Sequence, residues 1–342
     1  MNGVLFVGNF LSGAHAHRHY CEDLTDHLAD RDWNIVRTSD RTARFARLLD
    51  MMHVTWHRRR DYALAHVDVF SGPAFLWAEA VCFELARLDK PFVLTLHGGN
   101  LPIFAKRWPG RVRRLLAAAA RVTSPSEYLA RQLAHLAPPI EIVPNGLDVA
   151  HHPFRRRDGA RPNLVWVRAF HTVYNPTLAV DALGDLLRDR PDTRLTMIGV
   201  DRDGSLQQVR DRAASLGVAH ALELIPGVPK DQVPQYLDRG DIFLNTTDVD
   251  NAPLSVVEAM ACGLCVITTN VGGIPDLVEH ERDALLVPPR SPAAMADAVR
   301  RVLDDPDLAA KLSASARATS EDRDWARVVR RWDLLFHEVA RG

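Results

Sequence analysis

Cysteine is scarce in this chain: four residues in 342, unevenly placed. That excludes the disulfide framework that staples small secreted domains. An excess of one charge is also missing. Forty-two Lys and Arg stand against 43 Asp and Glu, a net charge of −1. No global field therefore selects nucleic acid or an acidic polymer as partner. No apolar run reaches the length needed to cross a bilayer. No low-complexity segment and no solenoid-length repeat is present. The sequence enters a strand at Val4 without a basic, then apolar, leader. No signal peptide is therefore expected, and the cytosol is the expected compartment. What remains is 47% hydrophobic and 25% charged, an ordinary globular composition. The length accommodates two cores, so two domains are expected.

Short runs rich in β-branched residues alternate with helical stretches throughout. Val4–Val7, Asn34–Thr38, Val67–Phe70, Pro91–Leu96, Arg121–Ser124 and Ile140–Val143 read as strands of a first series. Leu164–Val167, Leu195–Ile198, Leu222–Ile225, Ile242–Asn245, Val266–Thr268 and Ala284–Val287 read as a second. Alternation of this kind predicts parallel, doubly wound sheets. The polar, Arg-rich run from Arg155 to Pro162 marks the expected boundary. The expected domains are 1–153 and 154–324, with a last helix over 325–342 returning to the first.

One stretch organises the chemistry: Asn245 to Asp276. A buried strand leads into a polar loop. A helix opens near Leu254 or Ser255 and ends before Gly263. Its first N–H groups and positive dipole end form an anion site. Asp250 lies in the loop, and Glu258 follows eight residues later, about one turn inside the helix. Two carboxylates beside an anion site suit a ligand carrying both phosphate and hydroxyls. A second reading stands beside it: Ser255 and Glu258 fit a Ser-x-x-Glu capping box, which needs no ligand, and Asp250 is then a plain loop carboxylate.

Glu258-Ala-Met-Ala-Cys-Gly-Leu-Cys-Val-Ile, followed by Val271-Gly-Gly-Ile-Pro-Asp276, resembles the donor-site signature of the family-4 retaining glycosyltransferases. The family's usual Glu is Asp250 here, and its usual Pro is Cys265. The resemblance implies an α/β GT-B architecture, two doubly wound Rossmann-like domains facing across a cleft. It implies transfer of a sugar from a nucleotide-diphosphate donor to a glycan, lipid-linked or small-molecule acceptor, in polysaccharide or glycoconjugate synthesis. No metal, cofactor or nucleic acid is implied. The donor would meet Gly13 of the first loop, Arg168, Asn251, Leu254, Ser255 and Glu258. His97, Asp250 and Glu258 would carry the chemistry. The family pairs an Arg at 168 with a Lys about six residues later; this chain has Tyr174 and Asn175 there. A nucleotide-sugar epimerase, with Glu79 and Glu84 as acids, and a non-catalytic nucleotide-sugar binder are the alternatives.

Other residues weigh in on the residues alone. His97 follows a strand and precedes Gly98-Gly99, where backbone can approach a ligand closely; a loop histidine bonded to backbone is the other reading. Asp248-Val249-Asp250 has the spacing of a metal pair, as do Asp201-x-Asp203 and Asp322-x-Asp324. Cys262 and Cys265 lack the further ligands a zinc site needs, so they read as small buried residues. His15, His17 and His19 read as acceptor-side or solvated. The basic runs Lys106–Arg114 and Arg58–Arg60 suit peripheral contact with the inner face of an anionic membrane, or are solvated helix faces.

Overall fold

The computed structural model describes residues 3–11 and 20–341. The chain divides into two compact units, 1–146 with 325–342, and 147–324. The division falls at Gly146/Leu147, earlier than the expected 153/154. The Arg-rich run lies inside the second unit for an electrostatic reason. Asp241 is buried, and Arg155, Arg157 and Arg161 all converge on it, at 2.7, 3.5 and 2.8 Å. Arg157 is itself fully buried and also donates to the Gly240 carbonyl at 2.8 Å. A segment that reads as the domain boundary is thus pinned to the second core.

The first unit holds a six-stranded sheet in the order β2-β1-β3-β4-β5-β6. Its strands are β1 Gly3–Val7, β2 Asn34–Thr38, β3 Leu64–Val69, β4 Phe92–Leu96, β5 Arg121–Ser124 and β6 Ile140–Ile142. All pairings are parallel. The central strands β1, β3 and β4 are mostly apolar and buried because helices cover both faces. One face packs on the helices Arg44–His57, Pro73–Arg87 and Pro109–Ala117. The other is covered by the helix Trp325–Arg341, whose Trp325, Trp332 and Phe336 join Phe6 and Val93 in one cluster. Gly146 accommodates that helix closely: a Cβ there would lie 2.4 Å from the Trp325 ring.

The second unit repeats the plan in the order β12-β11-β10-β7-β8-β9. The strands are β7 Asn163–Val167, β8 Arg194–Ile198, β9 Leu222–Ile225, β10 Ile242–Asn245, β11 Cys265–Thr269 and β12 Ala284–Val287. Read from the far edge, this is the dinucleotide-fold order, and its direction reverses between β7 and β10. The first unit reverses between β1 and β3. Ligands bind such sheets at the carboxyl ends of the strands beside the reversal, which directs attention to residues 8, 68, 168 and 246–250. Among the described residues, no helix is long and apolar enough to cross a membrane.

Candidate active site

Arg168 is the first residue after β7, and Asp250 lies in the loop after β10. The Arg168 guanidinium donates to the Asp250 carboxylate, Nη2 to Oδ2, at 2.5 Å. The ring of Tyr174 lies 4.3 Å from the same guanidinium. Threonines draw the two loops together. Thr246 donates to the Tyr174 carbonyl at 2.8 Å and accepts from the Trp166 indole at 2.9 Å, while Asp248 N donates to the Val173 carbonyl at 2.9 Å. Asn175 turns the chain left-handed, at φ 45°, where asparagine is tolerated. The position of the family's lysine is thus filled by an aromatic face on the arginine.

Asp250 is fixed from behind. Gly272 has φ 57°, and a Cβ there would lie 1.9 Å from the Asp250 carbonyl oxygen. Gly273 N donates to that oxygen at 3.1 Å. Only glycine suits that position, so the Gly-Gly pair is part of the site's frame. The other Asp250 oxygen accepts from Asn251 N at 2.8 Å.

The helix Leu254–Ala261 begins directly after this loop. Its cap is Pro253, and no side chain bonds the first turn. The Ser255–Glu258 capping box therefore does not form, because proline takes the cap and Ser255 is already inside the helix. Ser255 Oγ is buried without a hydrogen-bond partner, and so is Arg168 Nε. Glu258 is 7% exposed, and its carboxylate makes no hydrogen bond or ion pair among the described residues. Unsatisfied polar atoms cost free energy when buried. Here they gather beside the free N–H groups of a helix front, where an anionic, hydroxyl-bearing ligand would satisfy them.

The Asp-x-Asp carboxylates are separately engaged. Asp248 accepts from Arg290 Nε at 2.9 Å, and Asp250 from Arg168. Among the described residues, no cluster of three or more His, Cys, Asp or Glu is placed for a metal ion. Cys262 and Cys265 are buried free thiols, and burial pushes both up to about 12.

His97 belongs to the first unit, one residue past β4. Its Nε2 lies 2.9 Å from Asp68 Oδ1, and its ring stacks on Phe70 at 5.0 Å. It is a carboxylate-bound histidine, not the backbone-bonded one the bland reading required. Behind it, buried His66 bonds Thr95, Nε2 to Oγ1, at 2.7 Å. Asp68 is the residue that sequence reasoning missed. Its only signal was an acid near the carboxyl end of a buried strand. Gly13 lies outside the described residues, as do His15, His17 and His19. Glu79, an acid of the epimerase alternative, is bonded by Arg111.

Two doubly wound parallel units, the second with a helix front beside a strand-end arginine, make an α/β protein of two Rossmann-like units. Solved structures agree on the fold. Anabaena HepE in complex with UDP aligns over 98% of this chain and 100% of its own, with TM-score 0.78 at 16% identity. Sucrose-phosphate synthase from Thermosynechococcus elongatus aligns over 99% of each chain, with TM-score 0.84 at 17% identity. The family model for glycosyl transferases group 1 matches residues 150–319, and that for glycosyltransferase family 4 matches residues 10–151. The chain belongs to the family-4 GT-B glycosyltransferases. A D-inositol 3-phosphate glycosyltransferase from Pseudarthrobacter chlorophenolicus is 27% identical over 290 residues, 79% of this chain and 69% of that protein. Across the curated relatives compared, the match takes in between 39% and 71% of the relative's own length.

Proposed function

We propose that this chain is a retaining, metal-independent glycosyltransferase that moves a sugar from a nucleotide-diphosphate donor to an acceptor hydroxyl in glycan or glycoconjugate synthesis. The observation that carries the reading is the arrangement in the second unit. Arg168, the front of the Leu254–Ala261 helix and the unpartnered Ser255 Oγ and Arg168 Nε form one anion-ready face. Glu258, buried and unpaired, takes the ribose hydroxyls. Arg168 and the helix N–H groups take the diphosphate, and Ser255 Oγ donates to it. The departing nucleotide gains negative charge in the transition state, and fixed donors aimed at that charge lower the barrier. Asp250 orients Arg168 and takes sugar hydroxyls.

The first unit receives the acceptor, a glycan, lipid-linked or small molecule. His97 Nε2–H donates a hydrogen bond to Asp68, which fixes the tautomer and leaves Nδ1 as the acceptor nitrogen. Retention of configuration is what the family resemblance implies, and the arginines on Asp248 and Asp250 support a metal-independent reading. HepE in complex with UDP makes UDP the first nucleoside diphosphate to test.

The test incubates the protein with a panel of nucleotide sugars and acceptors, with and without EDTA, and reads product mass and anomeric configuration. A heavier product with retained configuration, insensitive to EDTA, is expected. A product of unchanged mass would assign an epimerase, and untouched substrate a binder. Loss of activity restored by Mn²⁺ would overturn metal independence.

A further inference from the structure

The face of the first sheet under the helix Trp325–Arg341 carries a row of polar side chains among apolar ones. His66 and Asp68 lie two residues apart on β3 and so point to the same side. Asp68 pairs with Thr95 across β3 and β4, and Thr95 with Thr123 across β4 and β5. His66 and Thr123 are fully buried, and Thr95 is 2% exposed. Aromatic rings close over the row: Trp332 and Phe6 lie 5.1 and 4.9 Å from the His66 ring. A polar group held there must find its partner within the protein.

The partners form one chain. His66 Nε2 lies 2.7 Å from Thr95 Oγ1, and Thr95 Oγ1 lies 2.8 Å from Thr123 Oγ1. Thr123 Oγ1 donates to the Leu94 carbonyl at 3.2 Å. Each hydroxyl has one proton, and a neutral imidazole has one N–H. Burial keeps the His66 ring neutral, lowering it to about 4. Among the described residues, one direction alone gives every proton of the chain an acceptor. Thr123 gives its proton to the carbonyl, and Thr95 gives its own to Thr123. His66 is then the donor to Thr95, with its proton on Nε2. The reverse direction would put that proton on Nδ1, which is buried without a hydrogen-bond partner. A buried N–H without an acceptor is the rarer defect, and an unused lone pair the milder one.

His66 Nδ1 lies 4.0 Å from Asp68 Oδ1. That oxygen is the one that accepts from His97 Nε2 at 2.9 Å. We propose that His66, Thr95 and Thr123 are positioning residues, whose hydrogen-bond chain locks His66 as the Nε2–H tautomer and keeps it from competing with His97 for Asp68 Oδ1. A proton on His66 Nδ1 would turn toward Asp68 and draw off part of the charge that fixes the His97 ring. The role rests on the reading of His97 as the acceptor-side group. Ring spectra need neither donor nor acceptor substrate, so failure of the lock and failure of that reading are distinguishable.

The test is ¹⁵N spectroscopy of the full chain labelled at histidine, at neutral pH, with His66→Gln and His97→Gln assigning the two rings. Protonated and bare ring nitrogens resonate far apart. In the parent, both rings should carry their proton on Nε2. Thr95→Val keeps the shape and removes the hydroxyl. It should move the His66 proton to Nδ1 and lower turnover about threefold or more, part of what a hydrogen bond to an ionised group is worth. UDP affinity, a property of the second unit, and circular dichroism should match the parent. Thr95→Ser should restore the parent tautomer and most of the rate, which a mere packing role would not do, since serine lacks the methyl group. A parent spectrum with the His66 proton on Nδ1 overturns the proposal, and it does so even if Thr95→Val fails to fold. Thr95→Val with the His66 tautomer unchanged overturns it too, as does a moved tautomer with undiminished turnover.

Discussion

Asp250→Asn should tighten the binding of a free nucleoside diphosphate while slowing turnover. In the parent, the Asp250 carboxylate holds the Arg168 guanidinium at 2.5 Å. A diphosphate arriving there must share the cation with a charge already in contact. Two unit charges about 4 Å apart interact by about 4 kcal/mol at an effective dielectric of 20. The Arg168 and Asp250 side chains are 20% and 10% exposed, and asparagine keeps an oxygen acceptor. Solvent and that residual bond leave roughly 1–2 kcal/mol to be released to the ligand, about 5- to 30-fold in Kd. Turnover should fall about a hundredfold or more, because the contact to the sugar and the fixed orientation of Arg168 are both lost. Calorimetric titration of UDP gives the affinity, and product formation gives the rate, with circular dichroism confirming the fold. If Asp250→Asn instead weakened UDP binding as much as Arg168→Ala does, the competition between the carboxylate and the diphosphate would be refuted.

Tyr174→Lys, which supplies the family's residue, should lower both the melting midpoint and the rate. It removes a ring 4.3 Å from Arg168, worth about 0.5–2 kcal/mol, and adds a like charge; a faster enzyme would contradict this. Asp68→Asn should cut turnover about tenfold or more with UDP affinity unchanged, since it acts on the His97 tautomer; an affinity loss would contradict it. Burial lowers the His66 imidazole to about 4, below its ordinary value near 6.5. The unfolded state then binds the proton first, so stability is intact above about pH 6.5. It falls as pH drops toward about 4, by up to about 3 kcal/mol. His66→Gln should flatten that dependence in urea unfolding, and an unchanged slope would count against it.

The strands were legible because buried parallel strands read as short apolar runs between turn signals. Arg168 and His97 were legible because each directly follows one. Other features depend on the folded chain. Asp68 meets His97 only through the register that pairs Asp68 with Thr95 across β3 and β4. The Arg44–His57 helix was not assigned, although the basic run Arg58–Arg60 at its end was singled out, because its apolar residues lie on both its inner and outer faces and blur the one-sided period that marks a helix. The Arg155–Pro162 run reads as a linker until Asp241 is placed beneath it. The Ser255–Glu258 box matches its pattern, but Pro253 takes the cap position.

The donor site in the second unit is tested most directly by calorimetric titration of UDP, GDP, ADP and dTDP into the parent protein and into Arg168→Ala. The account predicts that one of these diphosphates binds the parent and that Arg168→Ala, folded as the parent is, binds it at least tenfold more weakly. Equal affinity for parent and variant, or no binding of any of the four, would contradict it.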